Sequence, residues 1–327
     1  MKKCYLLMLI AIATASLSGI TTVGTAMAQT WPAKPIELIV PFPPGAVDSK
    51  VRVIVERASK VLGRPIVMQN KPGAGQRIGT TAYLRAPADG YTLGVFTNAN
   101  GAITPALDPN AGYDPRKDFT LISLTYEASL VMIAHPSLGA NSINDLIRIA
   151  KANPGKLNYG SSGVGASYHL WFEVFKSLAQ IDITHIPYKG LSPAMQELVG
   201  GQTQVMFTDL VGAQPLIDTG RIIGLAFTAE QRSTILPKVP TMKEAGTPFL
   251  AANWLGFAGP AGIPRDISAR LTNIFNEVTR SPEVRAQLES SGGQTVLGLG
   301  PTEFAARVAN DYDKFRELGE RYGIKID

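Results

Sequence analysis

Short apolar runs alternate with amphipathic stretches along most of the chain. Residues 34–40 read as a strand, 49–61 as a helix, 65–69 as a strand, 77–86 as a helix and 91–97 as a strand. After an Asn/Pro/Gly-rich stretch, 119–123 and 129–135 are strand-like. A second run follows: helix 142–153, strand 157–160, helix 166–179, strand 183–187, helix 192–200, strand 205–207, helix 212–219 and strand 224–228. Residues 241–244 read as a short helix and 251–258 as a strand. The tail reads as three helices, 266–280, 282–290 and 301–322. Strands and helices alternating at short spacing predict an α/β fold of open, mostly parallel sheets flanked by helices. Two such runs predict two lobes: residues 29–130 plus 254–327, with residues 131–253 inserted between them. The crossovers, 130–134 and 254–257, are expected to pair as extended segments and form a hinge. Ser142 is the expected N-cap of its helix, with Asp145 three residues on.

Two strand-to-helix turns stand out. In residues 158–175, NYGSSGVGASYHLWFEVF, Gly160, Gly163 and Gly165 let the backbone approach a bound group, and Ser161, Ser162 and Ser167 add hydroxyls. The amides opening the following helix lack partners, and the helix dipole favours an anion there. No lysine or arginine lies within 160–170, so amides and hydroxyls would do the holding, and a carboxylate fits them. The plainer alternative is a strand-to-helix connection rich in small residues. Residues 36–62 repeat the layout: an apolar run, a Pro/Gly turn at 41–46, and a helix from Asp48 with Asp48 or Ser49 as N-cap. Two such turns, about 120 residues apart, suggest half-sites facing each other across a cleft.

Composition and charge narrow the classes. Lys2, Lys3, the apolar stretch 6–12 and Ala26-Met27-Ala28 read as a secretory signal cut after Ala28. No later stretch has 18 or more uninterrupted apolar residues, so a soluble, exported mature chain is expected. Cys4, the only cysteine, leaves with the signal, and thiol and disulfide chemistry leave with it. A chain of roughly 300 residues buries enough surface without cross-links. The formal charge is +5, with no block of like charges and no basic stripe interleaved with aromatics. Nucleic acid is therefore not an expected partner, and a mild positive bias suits a small anion.

Several segments together, PFPPGAVDS, NKPGAGQRIGTTA, YGSSGVGASYHL, HIPYKGLSPAMQELVGGQTQVMF and TILPKVPTMKEAG with the following W-x-G-F, resemble the Bug-type extracytoplasmic solute receptors. The resemblance covers essentially the whole mature chain. It implies a two-lobed periplasmic binding protein of type II-like fold, located in the periplasm. It also implies the large and small membrane proteins of a tripartite tricarboxylate transporter as partners, and no metal or cofactor; a monomer is expected. Members of that family bind small carboxylates: citrate and other diacids, acidic amino acids, nicotinate and aromatic acids. They hold a carboxylate between two loops, largely by main-chain amides and water. The first loop here is 43–49, with Pro44, Gly45, Ala46 and Asp48 as implied contacts. The second is 160–167, with Ser161, Ser162, Gly163, Gly165, Ala166, Ser167 and the adjoining His169. Thr208 and Asp209, at a strand end, border the implied pocket. This chain departs from the pattern twice. Ala46 follows Gly45 where a glycine pair is usual, and Gln76-Arg77 stands where the family's turn is usually Gly-Asn. Arg77 either places a planar cation at the cleft rim for the far group of a diacid or points to solvent.

Enzymatic motifs are missing. There is no G-x-S-x-G, no G-K-[ST] ending to the glycines of 73–79, and no G-x-G-x-x-G. His135, His169 and His185 fit no zinc spacing. His135 reads as structural, His185 as shaping a cleft wall, and His169 as either a packed or capping histidine or a ligand contact. Asp48 and Asp209 read better as a helix cap and an orienting carboxylate than as an acid–base pair. If the ligand were an acidic amino acid, Asp209 would receive its ammonium. Phe42, Phe96, Phe207, Tyr168, Tyr188 and Trp254 read mostly as core. With few cations near the loops, they tilt the expectation towards an aromatic acid over citrate. The expected function is non-enzymatic capture of a carboxylate for a transporter. The alternatives are a serine hydrolase using Ser161 or Ser162 with His169, and a loaded partner of a membrane signalling protein.

Overall fold

Burial follows the sequence pattern from the first strand. Ile36–Val40 (β1) places Ile36, Leu38 and Val40 fully inside. The next helix, Ala46–Leu62 (α1), buries Val51, Ile54, Val55 and Ala58, an i, i+3, i+4, i+7 stripe. It stops at Gly63, left-handed at φ 69°, whose N–H donates to Lys60 O. The protein is described as a computed structural model covering residues 31–290, 293–322 and 324. The expected signal and its cleavage point lie outside the described residues, and Lys34–Asp327 forms one unit.

Two sheets carry the fold. The first contains β1, Ile66–Asn70 (β2), Thr92–Thr97 (β3), Phe119–Ser129 (β4), Ala252–Pro260 (β10) and Gln294–Leu299 (β11), in the order β11-β4-β10-β3-β1-β2. The second contains Val131–Ala134 (β5), Asn158–Ser161 (β6), Thr184–Pro187 (β7), Val205–Thr208 (β8) and Ile223–Phe227 (β9), in the order β7-β6-β8-β5-β9. Helices flank both: Arg77–Leu84 (α2), Thr104–Leu107 (α3), Ile143–Ala152 (α4), Ser167–Ala179 (α5), Leu191–Val199 (α6), Leu210–Asp218 (α7), Arg265–Arg280 (α8), Pro282–Glu289 (α9) and Pro301–Tyr322 (α10). Both sheets are mixed. β2-β1-β3 and β7-β6-β8 run parallel, and the antiparallel members enter where the chain passes from one sheet to the other.

That passage corrects the expected hinge. Residues 130–134 do not pair with 254–257. β4 runs without a break from Phe119 to Ser129, with Leu124 and Tyr126 buried, so Ser129 meets Ala252 and Glu127 meets Trp254. The next strand, β5, pairs with β8 and β9 instead. Three further readings change. β11 appears between the second and third tail helices, where the sequence pattern predicts no strand, because the outer edge of β4 offers it a partner. Residues 241–244 form a turn, closed when the Glu244 carboxylate accepts from Thr241 N at 2.7 Å. α1 begins at Ala46 rather than Asp48, and its N-cap is Gly45.

Ser142 caps α4 as expected. Its hydroxyl accepts from Asp145 N at 3.1 Å, while Asp145 accepts from Asn141 N at 3.2 Å. Aromatic rings fill both cores. Trp254 sits edge-on to Phe304 at 5.4 Å, and Phe172, Phe175 and Phe207 pack at 5.6–6.1 Å. A Cβ at Gly94 would run into the Tyr83 ring, so only glycine lets α2 lie this close to β3.

Candidate functional site

The first loop leaves β1 at Val40 and is open. Pro43, Pro44 and Gly45 are exposed, and among the described residues none but the chain neighbours lies within 4 Å of where a Gly45 Cβ would be. The first intrahelical bond runs from Ser49 N to Gly45 O at 3.0 Å. The amides of Val47 and Asp48 meet no acceptor among the described residues. Asp48 is not the cap. It is 6 % exposed in the first turn, where its carboxylate suits the dipole, and it accepts from Asn70 Nδ2 at 2.8 Å and Arg52 Nη2 at 3.4 Å. Asn70 Nδ2 also donates to Phe42 O at 3.0 Å, which ties the loop to the end of β2.

The second loop is closed upon itself. Ser161, fully buried at the end of β6, shares a 2.6 Å hydrogen bond with His185 Nε2 and accepts from Gly163 N at 3.1 Å. Gly165 N donates to His169 Nδ1 at 3.2 Å, and Ala166 N donates to Gly163 O at 3.2 Å. The amides of Gly163, Gly165 and Ala166 are thus already engaged. The amides of Ser167, Tyr168 and His169, in the first turn of α5, have no acceptor among the described residues. His169 and His185 stack at 4.0 Å, and Tyr159 stacks on Phe172 at 3.8 Å behind them. Tyr159 Oη donates to Glu173 at 2.6 Å, and Lys176 Nζ donates to both Glu173 oxygens at 2.9 and 3.1 Å.

Burial, helped by His169 and the Lys176 charge, pushes His185 down to about 3. Burial also lowers His169, against the opposing pull of Glu173. Both rings are therefore neutral at ordinary pH, and Nδ1 of His169 can accept the Gly165 amide. The serine–histidine contact joins Ser161 to His185, not to His169 as the hydrolase alternative required. His135 plays a structural part, sharing a 2.7 Å bond with Ser137 Oγ and accepting from Ser137 N.

A third group of residues joins the two sheets. Asp209 follows Thr208, which is buried at the end of β8, and N-caps α7 by accepting from Gly212 N at 2.9 Å. Its carboxylate charge acts on Lys50 of α1, Tyr126 of β4 and Tyr168 of α5. Burial and Asp209 together hold both phenols far above the usual range. Burial lowers Lys50, and Asp209 pulls the other way. The Lys50 ammonium lies 5.9 Å from the centre of the Tyr126 ring. Asn253 Oδ1, on β10, accepts from Asn98 Nδ2 at 2.9 Å and from Trp171 Nε1 at 3.1 Å. Residues of α1, β4 and β10 thereby share one space with residues of α5 and α7. Lys50 and Tyr126 were missed as site residues. The available signal was the position of Lys50 four residues before Ile54, on the inward face of α1.

Arg77 is placed differently from either expectation. Its guanidinium bonds the buried Asp108 carboxylate at 3.2 Å and Asn110 O at 3.4 Å. It borders a surface concavity of about 580 Å³ with Ile78, Thr81, Arg85 and Asn110, all on the side of the first sheet. Phe96, Phe207 and Trp254 are core, while Tyr168 belongs to the shared space.

Comparison with known proteins follows the same outline. Residues 50–315 match the tripartite tricarboxylate transporter family receptor. Protein BugT of Bordetella pertussis is 34% identical over 313 residues, covering 94% of this chain and 96% of its own. The periplasmic binding protein BugD superposes with a TM-score of 0.80 at 30% identity, covering 90% of this chain and 99% of its own. A Rhodopseudomonas palustris protein solved with adipate superposes with a TM-score of 0.82 at 30% identity, over 90% of this chain and 99% of its own. The match spans most of the chain and the two-sheet architecture agrees throughout, so this chain belongs to the tripartite tricarboxylate transporter receptor family, as a Bug-type solute-binding receptor and not an enzyme.

Proposed function

We propose that this receptor captures a small carboxylate in the periplasm and delivers it to the membrane subunits of a tripartite tricarboxylate transporter. The capturing lobes are residues 29–130 plus 254–327 and residues 131–253, and the exported chain works as a monomer after cleavage behind Ala28. One observation supports the reading above the others. Trp171, from the helix after the second loop, donates to Asn253 Oδ1 on β10 at 3.1 Å, and the Asp209 charge reaches both Lys50, from the helix after the first loop, and Tyr168. The two helix N-termini, each with unpaired first-turn amides, therefore serve one space. The adipate held by the R. palustris relative supplies the chemical class.

The first half-site consists of the amides behind Pro44, Gly45 and Ala46, with Asp48 anchoring them. The second consists of Ser162, Ser167 and the first-turn amides of α5, with Ser161, Gly163, Gly165, Ala166 and His169 holding the loop in shape. Thr208 and Asp209 form the wall. A ligand that bridges both half-sites stabilises the closed arrangement by its differential affinity for it. Titration calorimetry of the mature chain against a carboxylate panel that includes adipate tests this. One member should bind with 1:1 stoichiometry and reduce the radius of gyration. A panel without any binder would overturn the reading.

A further inference from the structure

The helix after β2 presents two faces of different character. Gly79, Thr80 and Tyr83 are buried on the inner face of α2, and a Cβ at Gly79 would come within 2.8 Å of Pro41, so α2 backs directly onto the first loop. The outer face lines the concavity of about 580 Å³ together with residues 110–112. The floor is apolar, built from Ile78, Ala82, Leu84 and Ala111, and Ile78 is 55 % exposed. The charged residues of the lining are two arginines, and no acidic residue joins them among the described residues. Arg77 is held in place. Both of its bonds, to the buried Asp108 and to Asn110 O, leave from Nη1, so Nε and Nη2 remain for an incoming acceptor. Arg85 is exposed, and its guanidinium has no partner among the described residues. Eight residues of helix set the two arginines about 12 Å apart.

We propose that this face of α2 is where the receptor docks on a membrane subunit of its transporter, by holding an acidic segment in which two carboxylates flank an apolar residue. The proposal rests on the receptor reading and adds a surface to it. The apolar residue fills the floor beside Ile78, and each guanidinium takes one carboxylate. Two acidic residues four apart in an extended segment lie on one face about 13 Å from each other, which matches the arginine spacing. Arginine suits such a contact because its planar fork pairs a carboxylate bidentately and is weakly hydrated. A second copy of the chain does not fit, since a two-fold interface on this face would set arginines against arginines. Because α2 packs on Pro41, a subunit that holds the outer face also bears on the loop that opens α1.

The test follows docking and acid binding side by side. The mature receptor is floated with vesicles carrying the large and small membrane subunits, and titration calorimetry measures its binding of adipate and the other panel acids. Wild type should dock. Arg85→Glu should weaken docking by about tenfold or more and leave acid affinity within about twofold, while Arg85→Lys should dock within about threefold of wild type. Raising the salt from about 0.05 M to about 0.5 M should weaken docking of wild type and leave that of Arg85→Glu nearly level. Should Arg85→Glu bind no acid, and so not be folded, the salt dependence of wild type decides. Full docking by Arg85→Glu, or wild-type docking indifferent to salt, overturns the proposal. A dimer in sedimentation that Arg85→Glu dissolves also overturns it, by assigning the face to a second copy. Acid binding by a wild type that does not dock overturns the proposal and leaves carboxylate capture standing. A wild type that neither binds acid nor docks overturns both.

Discussion

The two loops share a plan and differ in how they are held. The loop before α1 is exposed, makes few bonds of its own and is anchored from one side through Asp48 and Asn70. The loop before α5 is threaded through a buried serine, two neutral stacked histidines and a tyrosine–phenylalanine stack. Both present first-turn amides without an acceptor among the described residues, yet only the second loop has its conformation determined by side chains behind it. Anion-binding backbone therefore does not require a rigid scaffold on both sides. One half can be fixed in shape while the other is left open for approach.

The largest test of that contrast removes the support of the second loop. Phe172→Ala deletes the ring under Tyr159 and should cost about 3–5 kcal/mol in urea unfolding. Next comes the pair of loop serines. Ser161→Ala leaves His185 Nε2 and Gly163 N without their buried partner, a loss of about 1–3 kcal/mol. Ser49→Ala in the exposed loop should stay within about 0.5 kcal/mol. Equal losses would erase the distinction. The glycines sharpen it further. Gly163, at φ 130°, should lose about 1–2 kcal/mol on substitution by alanine. Gly45 is extended and unencumbered, so Gly45→Ala should leave the unfolding midpoint unchanged and weaken carboxylate affinity by crowding the approach.

The smallest effect is a slope with pH. His169 and His185 are lowered from 6.5 in the folded protein, so between about 6.5 and 3 the unfolded chain binds more protons. Stability should therefore fall as pH drops through that window and level off above it. His185→Gln should flatten the slope, as read from thermal melts at successive pH values.

Much of the fold was legible because local and global signals agreed. The buried stripe of α1, the Ser142 cap and the alternation of strands and helices needed no tertiary knowledge. What escaped depended on partners distant in sequence. β11, with Gly298 in a left-handed conformation, is a poor strand until β4 offers its edge. Thr241 and Glu244 have helix-opening chemistry, but Arg232 holds Glu244 from twelve residues away and Gly246 turns the chain. The glycine and serine loops were visible in the sequence. The use of the Gly163 and Gly165 amides was not, because it depends on the positions of Ser161 and His169. Lys50 looked like one more surface lysine until Asp209 and Tyr126 converged on it from 159 and 76 residues away.

The bridge at Asn253 has an optical consequence. Asn253 lies on β10 of the first sheet and Asn98 directly follows β3, while the indole of Trp171 comes from α5, so any parting of the sheets must pull that indole off its oxygen acceptor. Trp171 is one of only three tryptophans in the chain. Its emission should shift when the receptor opens or closes, giving the protein an intrinsic fluorescent gauge of its own loading.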